Sequence, residues 1–371
     1  MSHSHPPQAD PTRDRQQEPI VRDPAAIRRI AIFHLNGVGD LLFSLPALQA
    51  IRRHFPHAHI TSIIRPHLGA LLAPTQLADE IISRPGRGRL VSAAKFLRRL
   101  RTGRFDLAVL MSQSASANVY ALLSGIKTRV GFMDTILPQL LSHPINLRGI
   151  SSAAKLLHLA ERLGACPQQR EYVGMLVLTE EQQNGAKRLL REAGLAGQPF
   201  AILSFGQGPG AMPGYKAWSL DSFAAVGKSL LQKNLVPVVV GTRAEVGEAE
   251  LLAEKIGDGA VCLAGRTSLG ELAAVIERAS LLIGIDSGPV HLAAALRVPV
   301  VGLYGPTDPA VTGPEGESTI VIHKARPCAP CRKPTCEARP CMSAITPEEV
   351  IGAAEKLTGE KVRGRRENQL S

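Results

Sequence analysis

Two short stretches of this chain place a carboxylate beside glycine where an apolar run gives way to a helical one. The first is Ile285-Asp286-Ser287-Gly288-Pro289-Val290-His291, between Leu281-Leu282-Ile283 and Leu292-Ala293-Ala294-Ala295-Leu296. Read as strand, turn and helix start, it presents a hydroxyl, a carboxylate and backbone N–H groups at the carboxyl edge of a sheet. Phosphorylated ligands bind α/β proteins there. The competing reading is a capped helix with His291 as a satisfied core residue; the Gly-Pro step and the strand-end position favour the ligand site.

The second stretch is Asn36-Gly37-Val38-Gly39-Asp40, after Ile30-Ala31-Ile32-Phe33. Gly37 and Gly39 let the turn approach a ligand closely. Asp40 fits either a helix cap or a general base. A dinucleotide fingerprint would need glycine at position 42, where Leu42 stands, so hydride-transfer chemistry is disfavoured.

Three further positions fall at strand ends or helix starts. Ser204 closes Phe200 to Ser204. Lys216 lies in Tyr215-Lys216-Ala217-Trp218-Ser219, where it reads as a phosphate-reaching point charge or as a surface lysine. Glu245, after Gly241-Thr242-Arg243-Ala244, suits ribose hydroxyls or a helix cap. Tyr304-Gly305-Pro306-Thr307-Asp308-Pro309 closes another strand and is expected to shape the same pocket. No two aspartates are separated by one residue, so the Asp-x-Asp pair that carries a divalent ion in many sugar-nucleotide enzymes is absent. Leaving-group charge then falls to Lys216, backbone N–H groups and the helix after Ser287. Cys328, Cys331, Cys336 and Cys341 form a local four-thiol group suited to zinc, to an iron–sulfur cluster, or to a structural loop of reduced thiols.

These residues need elements to hold them, and the chain supplies two alternating series. In the first, strands are expected at Ile30–Phe33, Ile60–Ile64, Glu80–Ser83 and Leu107–Met111, with a helix over Leu41–Phe55 that has Pro46 near its start. The second restarts after Thr179-Glu180-Glu181-Gln182, a cap-like opening to a helix ending near Ala193. It runs through strands at 200–204, 236–240, 261–263, 281–285 and 300–303 with helices between. The pattern predicts an α/β protein of two Rossmann-like, doubly wound domains with a hinge near 172–185, each offering one binding edge to a shared cleft. The expected boundaries are a disordered leader at 1–28, domains at 29–178 and 179–356, and a basic tail at 357–371.

With 371 residues, 44% hydrophobic and 20% charged, the chain has the make-up of a globular protein, and its net charge of +11 predicts an anionic partner. Arg84 to Arg104 holds eight cations and no acid, with Val91, Phe96, Leu97 and Leu100 as an apolar face. It reads as a basic amphipathic helix on an anionic membrane surface or as a solvated surface helix. Nucleic acid is excluded as a partner because aromatic content is 4% and no aromatics interleave with these charges. Met1 to Asp23 has no apolar run, so neither a signal peptide nor a spanning helix is expected, and a cytoplasmic, peripherally membrane-bound protein is.

Taken together these motifs resemble glycosyltransferase family 9, the ADP-heptose:lipopolysaccharide heptosyltransferases. The likeness runs over nearly all of 29–355. It includes Gly39-Asp40 with Leu45-Pro46-Ala47-Leu48, Lys216-Ala217-Trp218, Asp286 to His291, Tyr304 to Pro309, and Cys328 to Cys341 followed by Met342 and Ile345 to Val350. The resemblance implies a GT-B fold whose N-terminal half binds a lipid-linked saccharide acceptor and whose C-terminal half binds ADP-heptose, with no cofactor. It implies Asp40 as catalytic base, Lys216 on the diphosphate, Glu245 on the ribose, and Asp286, Ser287, Gly288 and His291 as the sugar and diphosphate loop. The implied reaction is a metal-independent inverting transfer of heptose to the lipopolysaccharide inner core. A different acceptor, protein or glycan, and a non-enzymatic nucleotide-binding module are the alternatives. Phe43 stands where heptosyltransferase I enzymes tend to carry His, His34 near a common Lys or Arg, and Ser287 in place of a frequent Thr.

Overall fold

The computed structural model describes residues 18–35, 37–86, 90–147, 150–206, 208, 214, 216–324, 326–331, 336 and 339–367, with side chains of the last helix described to residue 359. The chain divides into two compact units, Met1–Tyr172 and Val173–Ser371. The division lies at 172/173 rather than 178/179, at the near end of the expected hinge.

The N-terminal unit carries β1 (Arg29–Phe33), β2 (His59–Ile64), β3 (Glu80–Ser83), β4 (Leu107–Leu110), β5 (Thr128–Phe132) and β6 (His143–Ile145) in the order β3-β2-β1-β4-β5-β6. The C-terminal unit carries β7 (Phe200–Ser204), β8 (Val236–Val240), β9 (Val261–Cys262), β10 (Leu281–Ile285), β11 (Val300–Tyr304) and β12 (Thr319–His323) in the order β12-β11-β10-β7-β8-β9. All strand pairs are parallel. Both sheets therefore follow the doubly wound order, with a switch point between the first and fourth strands, β1/β4 and β7/β10. Central strands are apolar on both faces because helices cover both: β7, β10 and β11 are buried throughout.

The two-domain α/β expectation holds, and the expected strands match to within a residue or two. The expected cap is present: Thr179 Oγ1 accepts from Gln182 N–H (3.2 Å) and Gln182 Oε1 from Thr179 N–H (2.9 Å).

Four expectations are corrected. Residues 18–28 are not a disordered leader: Ile20 N–H donates to Arg162 O (2.9 Å), Val21 is buried, and Asp106 accepts from the N–H groups of Arg28 and Arg29. The final helix runs Pro347–Glu367, so helix takes up much of the expected basic tail, and Leu357 is buried in the core. The first helix starts at Val38, which puts Pro46 in its interior rather than near its start. The basic helix spans Leu90–Thr102, and its apolar face is turned inward: Phe96 and Leu100 join the unit's own core, while Val91 is exposed. Those two side chains are covered by protein.

Among the described residues no helix is long and apolar enough to cross a membrane.

Candidate functional site

The chemistry expected at Asp286 is built by three separate loops at the carboxyl edge of the C-terminal sheet. β10 ends at Ile285, which places Asp286 beside the β7/β10 switch point. Asp286 Oδ2 accepts from Lys216 Nζ (2.6 Å) and from Thr307 Oγ1 (2.7 Å), and the lysine also donates to the Asp286 carbonyl (3.2 Å). His291 Nε2 stands 3.8 Å from Oδ1, one turn along the helix Gly288–Ala295. Asp286 is 6% exposed. Burial alone would raise its pKa, but the His291 imidazole, the Lys216 charge and the Thr307 hydroxyl outweigh it and hold the carboxyl well below the usual carboxylate range. The result is an ionised acid that fixes a lysine.

Ser287 is the N-cap of the Gly288–Ala295 helix, yet its side chain makes no capping bond, and its Oγ is buried without a hydrogen-bond partner among the described residues. A buried hydroxyl left unsatisfied costs about 1–3 kcal/mol unless something occupies the site. Its position at a helix N-terminus, beside Lys216, suits an anionic ligand oxygen.

Lys216 owes its place to a neighbour. Trp218, two residues on, is buried, packs edge-on against Phe223 (4.8 Å between centroids) and donates from Nε1 to Ile345 O (3.0 Å). This ties the lysine loop to the turn before the last helix. Glu245 is already a cap: Oε2 accepts from Thr242 N–H (2.7 Å) and Thr242 Oγ1 (2.8 Å), and Oε1 accepts from Gly208 N–H (3.2 Å). A Cβ on Gly206 would collide with that carboxylate, so glycine there lets the loop after β7 lie over it. Ser204 is buried at the end of β7, and Gly284 opposite has no room for a Cβ against the Ser204 carbonyl, 2.9 Å away.

At the N-terminal unit's switch point the arrangement centres on one acid. Asp40 is the third residue of the helix Val38–His54, and its Oδ2 accepts from Gly37 N–H (3.1 Å). A Cβ at Gly37 would stand 2.7 Å from that oxygen, so only glycine permits this approach. Gly39 lies in the first turn of the same helix; Asn36 lies outside the described residues. Beneath the turn, His34 is fully buried. Ser44 Oγ spends its hydrogen on Leu41 O (2.6 Å), so it accepts from His34 Nδ1 (3.4 Å), which leaves Nε2 to accept from the Ser62 hydroxyl (3.1 Å). Burial pushes the imidazole pKa down to about 3, so His34 is neutral in the folded state.

The sequence reading missed Thr307 as a partner of Asp286, although its motif had been placed near the pocket, and it missed Trp218 as the anchor of Lys216. The four cysteines form no disulfide and line one small cavity with Gly305 and Pro306, and Cys331 N–H donates to Pro306 O (2.7 Å). Among the described residues no group of His, Cys, Asp or Glu is arranged to hold a metal. Cavities of about 500 and 770 Å³ open around Pro199, Arg278 and Ser280, at the amino ends of β7 and β10, away from this constellation.

Comparison with known proteins agrees with this layout. The model of glycosyltransferase family 9 (heptosyltransferase) matches residues 93–342. Lipopolysaccharide heptosyltransferase 3 of Escherichia coli K12 is 24% identical over 338 residues, 87% of this chain and 96% of that protein. The glycosyl transferase family 9 structure from Veillonella parvula superposes with a TM-score of 0.77 at 25% identity, covering 90% of this chain and 97% of that one. E. coli ADP-heptose lipopolysaccharide heptosyltransferase II gives 0.73 at 21% identity, covering 90% and 99%. With the family model spanning well over half of its length, the chain belongs to glycosyltransferase family 9, the heptosyltransferases, and is a glycosyl-transferring enzyme.

Proposed function

We propose that this enzyme moves a heptose from ADP-heptose to a lipopolysaccharide inner-core acceptor by a metal-independent, inverting displacement. The observation that carries the reading is the Lys216–Asp286–Thr307 network beside the unpartnered Ser287 hydroxyl: a fixed cation, a helix N-terminus and an open donor grouped as a nucleoside diphosphate requires. The named relatives supply the identity of sugar and acceptor.

In this reading the diphosphate lies along the first turn of the Gly288–Ala295 helix. Lys216 and the helix dipole take up the charge that develops as the bond from the anomeric carbon to ADP breaks. Asp286 does not touch the reacting atoms; it holds Lys216 and His291 in place. Asp40 accepts the proton of the acceptor hydroxyl as that oxygen attacks the anomeric carbon from the opposite face, which inverts the configuration. Glu245, held by Thr242 and Gly208, turns its loop toward the ribose.

Two measurements test this. Thermal unfolding with a panel of ADP-, UDP- and GDP-sugars should show stabilisation by ADP-heptose; stabilisation by a UDP-sugar alone would sink the donor assignment. NMR of the product formed on heptose-deficient core acceptor should show the anomer opposite to the donor's, and a retained anomer would rule out single displacement.

A further inference from the structure

At the carboxyl edge of the C-terminal sheet, the cation assigned to the diphosphate is already balanced by protein. Lys216 Nζ is paired with Asp286 (2.6 Å), and Glu245 adds a further carboxylate on the loop after β8. A nucleoside diphosphate-sugar brings a negative charge on each phosphate, and the leaving diphosphate gains another as the bond to the sugar breaks. A lysine neutralised by its own acid answers part of that charge, and the helix N-terminus after Ser287 adds only partial charge. Full stabilisation of the leaving group needs a second cation.

Arg339 is held between the two loops that fix Asp286. Its guanidinium packs on Gly214: Cζ and Nη1 are 3.5 Å, and Nη2 3.6 Å, from the point a Cβ there would occupy. Gly214 opens the turn that carries Lys216, with Ala217 N–H donating to Gly214 O (3.3 Å). The backbone of Arg339 is set from the other loop. Its carbonyl accepts from the N–H groups of Met342 and Ser343 (both 3.0 Å), and Met342 packs so closely on Gly305 that a Cβ there would stand 2.5 Å from Sδ. Two residues past Gly305 is Thr307, the hydroxyl partner of Asp286. With φ 37° and ψ 53°, Arg339 occupies the left-handed region. A residue with a side chain holds that conformation only where its surroundings impose it, and such positions cluster at functional sites. The side chain is half-buried and makes no hydrogen bond or ion pair among the described residues. A fixed, unpaired guanidinium therefore borders the lysine turn.

We propose that Arg339 is a second diphosphate-binding cation of the donor site, donating from its planar fork to phosphate oxygens whose charge Lys216, committed to Asp286, leaves unbalanced. The inference rests on the reading that this edge binds ADP-heptose. Arg339 also borders the cavity lined by Cys328, Cys331, Cys336 and Cys341, so the competing role for its charge is to face those thiols.

Calorimetric titration of the full chain with ADP, and with adenosine as the phosphate-free probe, tests it. Arg339→Asn removes the cation and keeps a residue that tolerates the left-handed backbone. ADP should then bind roughly tenfold more weakly, and adenosine within about twofold of the wild type. Arg339→Lys keeps the charge and loses the fork, so the loss of ADP affinity should shrink to about threefold. Arg191→Asn, which removes an exposed cation of the helix Glu180–Glu192, should leave ADP affinity unchanged. Equal losses of ADP and adenosine affinity in Arg339→Asn would mark a distorted loop in place of a lost phosphate contact, and would overturn the proposal. Unchanged ADP affinity would also overturn it, and altered thiol reactivity toward a disulfide reagent in that variant would assign the cation to the cysteines. A wild type that binds neither ADP nor ADP-heptose would overturn the donor reading itself, a result distinct from intact wild-type binding that the Arg339 variants leave unchanged.

Discussion

The two switch points of this molecule share a topology and differ in how their acids are held. Asp286 is buried in a network of Lys216, Thr307 and His291 drawn from three loops, and the lysine is anchored in turn through Trp218. Asp40 is half-buried, accepts a backbone N–H from a glycine three residues back, and sits above a neutral buried histidine. An ionised acid enclosed by its own partners is suited to positioning charge, not to taking up a proton. Asp40, in the first turn of its helix and partly open to solvent, is the proposed proton acceptor. The contrast supports the proposed division, with the donor at one edge and the base at the other.

The largest effect should come from Asp40. Asp40→Ala removes the proposed general base, and transfer measured by product mass analysis should fall by about 10²–10⁴-fold. A loss of less than about threefold would erase the contrast between the edges. Next, Lys216→Ala should weaken ADP-heptose binding by about 10–100-fold, since charge-assisted hydrogen bonds contribute about 1.5–3 kcal/mol, and added salt should not mimic it at this partly buried site.

Acid should separate the edges by the pH window in which each loses stability. His34 is neutral when folded and titrates near 6.5 when unfolded, so between pH 6.5 and about 3 the unfolded chain binds the extra proton. Stability should therefore fall by up to about 1.4 kcal/mol for each pH unit below that point, and His34→Gln should remove this share of the slope in denaturant titrations. Asp286 has a depressed folded pKa, so its contribution is full above the ordinary carboxylate range and drains only as pH falls below it. Asp286→Asn should lower stability without changing the slope between pH 7 and 5.5.

The smallest effect belongs to Ser287→Ala. Its hydroxyl has no partner among the described residues, so thermal stability should hold or rise, by up to about 1–3 kcal/mol, while ADP-heptose binds about fivefold more weakly. Destabilisation with unchanged affinity would remove Ser287 from the donor site.

Much of this layout was readable before any coordinates. The strand–turn–helix at Asp286, the glycine turn before Asp40 and the Thr179–Gln182 cap are local, and local chemistry dictates them. What the sequence could not supply was long-range pairing. Lys216 and Asp286 are 70 residues apart, Trp218 and Ile345 are 127 apart, and no spacing rule links them. β6 escaped notice because it is three residues long and contains Pro144, whose missing N–H weakens a strand reading. The Leu90–Thr102 helix was correctly amphipathic, but periodicity reports that an apolar face exists and not what covers it; here the unit's own core does.

The division of labour between the edges is tested most directly by calorimetric titration of ADP-heptose into the wild type and into Asp40→Asn under the same conditions. Dissociation constants within about twofold of each other are expected, because in the proposed reading the donor is held by the other unit. A tenfold or greater loss of affinity in the variant would show that Asp40 binds the donor and would contradict the assignment of base and donor to separate edges.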